Sequence, residues 1–333
     1  MTLTEIRENP RHPRANLSIL RVASLILCLN FWACGAFVKT IPPGQILDKT
    51  AYNHFVKVGE ANLHYIEYPA EGPDVLLLHG FGSSSYCWDK VAPQLHRHGF
   101  HIWMLDMKGF GWSDKPKKTA YDPMTLMEEV NQWMDLMNLK DVVFVGNSLG
   151  GAIAGLLEFE HPERIGRVVL IDAAGYNFKK PMVIKLARFP LATPIAKLFF
   201  GRWIIKRMLG QVFYNDDLIT AEHIEAYYDR LRTQNAMYAQ VNLARSLNFN
   251  DFEHYFSRIK ELETETLIIW GRDDQWIPLE IAYNFRKDLT NSRLVVIPEC
   301  GHVPQKEKPE RVVQLLLDFL NNKPIQETPL PEP

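Results

Sequence analysis

Hydrophobic residues recur along this chain in short blocks whose spacing changes with position. His54-Phe55-Val56-Lys57-Val58 and Leu63-His64-Tyr65-Ile66-Glu67-Tyr68 alternate apolar with polar residues on either side of Gly59. That pattern predicts an antiparallel hairpin. Six later blocks read as unbroken apolar strands: 75–78, 100–105, 142–145, 168–171, 266–270 and 294–297. A strand with no polar side is expected where both faces are covered, as in a parallel sheet. Helical patterns lie between these blocks. One begins with Asp122 as N-cap and Pro123 in the first turn, then sets Leu126, Val130, Trp133 and Met137 on one face. Strands alternating with helices predict an α/β fold with a mostly parallel, twisted sheet flanked by helices.

The rhythm stops between residues 175 and 259, where no convincing strand occurs and several helices are expected. This interval reads as a helical cap inserted into a core formed by residues 53–174 and 260–323, with a tail at 324–333. From Tyr176 to Asn215 the cap carries no acidic residue. It does carry Lys179, Lys180, Lys185, Arg188, Lys197, Arg202, Lys206 and Arg207 among large apolar side chains. Two readings stand side by side: a surface that meets anionic lipid, or a packed cap with a solvated basic face.

Residues 1–21 hold Arg7, Arg11, Arg14 and Arg21, and residues 22–38 are then 17 uncharged positions rich in Leu, Ile, Phe and Trp. A basic flank before an apolar stretch of that length predicts a signal-anchor with the N-terminus inside and the catalytic domain exported. The small residues at Ala33-Cys34-Gly35-Ala36 leave a cleaved leader, giving a secreted or periplasmic protein, as the alternative. Residues 39–52 read as a linker around Thr40-Ile41-Pro42-Pro43-Gly44.

Composition narrows the chemistry. A chain of 333 residues has room for one large core plus an insertion, and its net charge of -2 gives no electrostatic case for nucleic acid. Four cysteines, Cys28, Cys34, Cys87 and Cys300, are too few for a disulfide framework. With no C-x-x-C and no H-E-x-x-H, no metal site is expected.

The strongest motif is Gly146-Asn147-Ser148-Leu149-Gly150, directly after Val142-Val143-Phe144-Val145 and before a helix-compatible run. A G-x-S-x-G pentapeptide between strand and helix is the form of a nucleophile elbow. A serine that merely caps the helix is the plain alternative. A serine nucleophile needs a base, an orienting acid and an oxyanion hole. In elbow hydrolases the acid and then the base follow the serine in the chain. His302, in the loop after the last strand, fits the base. Asp274 after Trp270 fits the acid, with Asp273 its neighbour. Asp172 is an alternative position, or a residue ordering the turn beneath the cap. The oxyanion donors expected are the Leu149 N–H and the Phe81 N–H of His79-Gly80-Phe81-Gly82, with His79 bracing that loop. Cys87 and Cys300 read as packing residues. This chemistry needs no cofactor.

The motifs His79-Gly80-Phe81-Gly82, Asp106 to Ser113, the elbow, Gly271-Arg272-Asp273-Asp274 and Gly301-His302 resemble the α/β-hydrolase fold superfamily, in its order, over residues 53 to 322. The resemblance implies an acid three residues after a glycine and four before a proline. That fits Gly271, Asp274 and Pro278 and favours Asp274 over Asp273. It also implies a lid at the position of the cap, and the plan resembles a membrane-anchored monoacylglycerol-lipase-like branch. Ser148 argues against the aspartate-dependent dehalogenases and epoxide hydrolases. Carbon–carbon bond hydrolases share the Gly-Asn-Ser elbow but usually carry tryptophan after the histidine, where this chain has Val303, and a different glycine-rich loop. The expectation is therefore a serine hydrolase of apolar or lipid-like carboxylic esters. A carbon–carbon bond hydrolase or a non-catalytic binding member is the alternative.

Overall fold

The computed structural model describes residues 41, 42, 52–178, 181–247, 255 and 257–331. The alternating blocks form β1 (Asn53–Val58) and β2 (Ala61–Tyr68), paired antiparallel from Val58 opposite Ala61 to Asn53 opposite Ile66. Gly59 makes the turn between them at φ +53, a conformation that costs glycine nothing. The unbroken blocks form β3 (Asp74–Leu78), β4 (His101–Leu105), β5 (Val142–Asn147), β6 (Ile165–Ile171), β7 (Thr266–Gly271) and β8 (Ser292–Ile297). The sheet order is β1-β2-β4-β3-β5-β6-β7-β8, with β1, β2 and β4 joined antiparallel and all other neighbours parallel.

The lack of alternation has a simple cause. Leu76, Leu78, Phe144, Ile268 and Trp270 pack on one face of the sheet, and Val75, Leu77, Val143, Val145, Leu267 and Ile269 pack on the other. Both faces are dry, so both side-chain registers must be apolar. Helices α2 (Pro123–Leu136), α3 (Leu149–Glu160) and α9 (Leu279–Asp288) cover the first face. Helices α1 (Ala92–Arg97) and α10 (Pro309–Leu320) cover the second. The Asp122 carboxylate accepts the Thr125 N–H at 2.9 Å, so α2 starts at the cap its sequence announces.

Between β6 and β7 the chain forms α4 (Met182–Leu186), α5 (Ala192–Leu198), α6 (Arg202–Val212), α7 (Ala221–Leu231) and α8 (Ala236–Ser246). Phe200, Ile205, Leu209, Phe213 and Tyr228 give this insertion a small core of its own, and Val303 from the main domain enters it. Of its basic residues, Arg202 pairs with Glu225 and lies over the Tyr228 ring, while Lys179 and Lys180 fall outside the described residues. Ile41 bonds Arg232 and Gln234 through its backbone at the α7–α8 junction.

The expected membrane placement is corrected here. Among the described residues no helix is long and apolar enough to cross a membrane. Residues 22–38, on which the anchor rested, lie outside the described residues. Neither the anchor nor the exported location is carried further.

Candidate active site

Because β3, β5, β6, β7 and β8 run parallel, their carboxyl ends share one edge, and each is followed by a residue singled out above. His79 follows β3, Ser148 follows β5, Asp172 follows β6, Asp274 lies three residues after β7, and His302 lies five after β8.

Ser148 sits at φ +55 and ψ -115, a strained pair for a residue with a side chain. Its surroundings over-determine it. The Ser148 N–H donates to Ile171 O at 3.0 Å, and its carbonyl accepts from Gly151 and Ala174. The flanking glycines permit the approach: a Cβ on Gly146 would stand 2.4 Å from the Gly150 carbonyl carbon, and one on Gly150 only 2.3 Å from Leu78 O. Asn147 ties the turn to the rest of the site, its amide donating to Ile171 O at 3.0 Å and to His302 O at 3.2 Å.

His302 Nδ1 and Asp274 Oδ2 are 2.7 Å apart, with the carboxylate fully buried and the imidazole nearly so. The other Asp274 oxygen accepts the Trp276 and Ile277 N–H groups at 2.7 and 3.1 Å. That pairing fixes the carboxylate and leaves Nε2 as the free imidazole edge. The Trp276 ring stacks on the imidazole at 5.7 Å between centroids. From the opposite side the His302 N–H donates to Val212 O at 2.7 Å, so the loop hangs on the end of α6.

The loop after β3 is set by His79. The Met107 N–H donates to its Nε2 at 3.2 Å, so its Nδ1 carries the proton and donates to Gly80 O at 2.8 Å. Burial holds this imidazole below its ordinary pKa, which keeps it neutral. In a trans peptide the N–H opposes the carbonyl. Clamping Gly80 O therefore turns the Phe81 N–H the other way. Leu149 opens α3, so its N–H has no acceptor within its own helix. Phe81 lines one cavity with Gly80, Ser148 and His302, and Leu149 is the residue directly after Ser148. The Asp106 carboxylate accepts Ser85 and Trp112 N–H groups beside the loop. Burial pushes that carboxyl upward, but His64, His79 and the Ser85 N–H outweigh it and hold the group far below the usual range.

Above this floor, α6 contributes Ile205, Met208, Leu209 and Val212 to the walls, α7 contributes Tyr227 and Leu231, and Trp276 closes one side. No lysine or arginine is among the described residues that line it. Cys87 and Cys300 are buried free thiols, and burial pushes Cys87 up to about 12, far from a thiolate at neutral pH.

Two contributors, Asn147 and Glu307, lack a signal in the sequence pattern, and a third, Asp172, is legible there only as an alternative acid or a turn residue. Asn147 is only an elbow x position until its amide is seen to reach the His302 loop. Glu307 takes the Gly301 N–H on one oxygen and the Tyr214 and Asn215 N–H groups on the other, joining loop to insertion. Asp172 lies within the same cluster as Asp274 and His302. Asp273 has no place in that cluster.

The chain belongs to the alpha/beta hydrolase fold family, whose pattern residues 73–309 match. It is 30% identical over 269 residues to the uncharacterized hydrolase YugF of Bacillus subtilis, covering 79% of this chain and 96% of that one. It is 26% identical over 272 residues to 2-hydroxy-6-oxononadienedioate/2-hydroxy-6-oxononatrienedioate hydrolase 1 of Pseudomonas putida, covering 79% and 93%. Among solved structures it is similar to a membrane phospholipase A described as a bacterial virulence factor. That match has 27% identity and a TM-score of 0.67 over 92% of this chain and 96% of that one.

Proposed function

We propose that this hydrolase works through Ser148, with His302 as base, Asp274 as the acid that orients it, and the Phe81 and Leu149 N–H groups as the oxyanion hole. Ser148 Oγ attacks a substrate carbonyl while His302 Nε2 takes its proton. The oxygen that becomes negative lies against the Phe81 N–H of the loop after β3 and the Leu149 N–H at the start of α3, where the helix dipole adds to the second. Collapse expels the leaving group, which takes the proton from His302. Water, deprotonated by the same imidazole, then frees the acid from Ser148.

The substrate class is carried by one observation, the apolar lining without lysine or arginine. Such walls suit an uncharged acyl chain, so we read the substrate as a carboxylic ester of an apolar acid. The similarity to a phospholipase fits this reading. A second reading has its own support. The name of the Pseudomonas putida relative describes a dioate, a ring-cleavage type of substrate split at a carbon–carbon bond. Curated relatives with such names fit that alternative better than the ester expectation. A dioate carries two carboxylates, however, and the described lining offers no cation to meet them.

Turnover of p-nitrophenyl esters of graded chain length, beside a vinylogous diketone acid, tests both. We expect ester hydrolysis that improves with acyl length, labelling by a fluorophosphonate probe, and loss of both in Ser148→Ala. Turnover retained by Ser148→Ala overturns the mechanism. Faster cleavage of the diketone than of any ester replaces the ester reading with the second.

A further inference from the structure

One titratable group at the sheet edge is left unused by this chemistry. Asp172 follows β6 directly, is fully buried and holds φ +44. Its Oδ1 accepts the Gly271 N–H at 3.0 Å, while its buried Oδ2 has no hydrogen-bond partner among the described residues. One Asp172 oxygen, one Asp274 oxygen and one His302 ring nitrogen lie within 4.8 Å of one another. Asp274 already receives two backbone N–H groups and faces the imidazole. Asp172 receives one. Two carboxylates this close cannot both be ionised, and the one with fewer donors keeps the proton. Burial first, and the Asp274 charge second, push the Asp172 carboxyl well above the usual range.

We infer that Asp172 is a positioning residue of the triad, its protonated Oδ2 donating to Asp274, and the reserve acid for His302 when Asp274 is absent. This rests on the reading of Ser148, His302 and Asp274 given above. In the native protein the Asp172 proton steadies the Asp274 carboxylate from the β6 side. In Asp274→Ala the like charge is gone but burial still favours the acid form, so Asp172 gives its proton to solvent only as positive charge forms on the His302 imidazole beside it. Its carboxylate then accepts the His302 Nδ1–H across the vacated space.

The test is ester turnover by the full chain in wild type, Asp172→Asn, Asp274→Ala and the double variant, each checked by thermal melting. Asparagine keeps an N–H donor toward Asp274, so Asp172→Asn alone should lose about threefold in kcat with KM unchanged. Asp274→Ala should lose about 10²-fold, less than the roughly 10⁴-fold that disabling a triad aspartate costs where no reserve exists. Adding Asp172→Asn to it should cost about 30-fold more, a coupling that independent sites do not show. A merely structural Asp172 would lower both backgrounds by the same factor, and equal factors overturn the inference. Ser148→Ala separates the two failures. If it still turns over ester, the triad reading falls; if it is inactive while the factors are equal, only the reserve acid falls. Should Asp172→Asn not fold, Asp172→Ser, which keeps a hydroxyl donor, takes its place.

Discussion

Replacing Gly150 with alanine isolates how much the oxyanion hole depends on the packing of α3 against β3. A Cβ at Gly150 would lie 2.3 Å from Leu78 O, 2.8 Å from Leu78 C and 2.9 Å from His79 O, all backbone atoms that no rotamer change can move. Ordinary contact begins at 3.4 Å, so the start of α3 and the end of β3 must separate by roughly 1.1 Å, the difference from 2.3 Å. Leu149 rides on one side of that gap and Gly80-Phe81 on the other, so the two donors part. A misplacement of about 1 Å costs about 10²-fold in rate, or about 2.7 kcal/mol of transition-state stabilisation. The control lies on the same helix. A Cβ at Gly155 meets nothing within 4 Å. Gly155→Ala should therefore raise stability by about 0.5–1 kcal/mol, the ordinary gain of alanine over glycine in a helix, and leave kcat alone. Steady-state ester kinetics and thermal melts on both variants decide the matter. A Gly150→Ala protein with kcat within about threefold of wild type refutes the reasoning. So does a Gly155→Ala protein that is equally impaired, since the loss would then follow glycine removal anywhere in α3.

Two more tests address the supports of the site. Lys115 is fully buried, its ammonium donating to Phe110, Gly111 and Ser113 carbonyls, and burial pushes it down to about 7. The unfolded chain holds that proton up to its ordinary 10.5, so between the two values the unfolded state binds more protons. Stability should then rise as pH climbs from about 7 toward 10. Lys115→Met should flatten that rise in urea melts at several pH values, and an equal slope in the variant counts against it. Glu307→Ala strands the Gly301, Tyr214 and Asn215 N–H groups. Of these only the Gly301 N–H is buried, and an unmet buried donor costs about 1–3 kcal/mol. The variant should melt earlier and lose kcat through a loosened His302 loop, whereas a lower melting point with kcat intact would confine Glu307 to stability.

Much of this architecture is visible as burial written into sequence. A strand covered on both faces must be apolar at every position, which is why β3, β5 and β7 announce themselves without alternation. The elbow is equally plain, because only small residues survive at 146 and 150 where backbone meets backbone. Partners set by register are a different matter. Asn147 and the His302 carbonyl stand 155 residues apart, and the period of a hydrophobic block says nothing about which strand lies beside which. The Asp172–Asp274 pair arises because β6 and β7 are parallel neighbours, with Ile171 opposite Ile269. In the sequence, Asp172 is only a candidate acid or a turn residue. The apolar stretch at 22–38 lies outside the described residues, and hydropathy alone does not say what such a stretch packs against.

The insertion and the catalytic edge are not independent modules. The walls that would hold an acyl chain come from α6 and α7, while the chemistry sits on loops after β5, β7 and β8. Yet Val212 at the end of α6 lines the cavity and also accepts the His302 N–H, and Val303 packs into the core of the insertion. Glu307 then fixes Tyr214 and Asn215, just past α6, to Gly301, the residue before the histidine. A shift of α6 that reshapes the pocket must therefore carry the imidazole with it, because it would have to stretch the 2.7 Å bond from the His302 N–H to Val212 O. Substitutions in α6 chosen to change acyl preference should for this reason change kcat as well as KM. Those in α7, which touches the cavity through Tyr227 and Leu231 but among the described residues makes no such bond to the His302 loop, should act on KM alone.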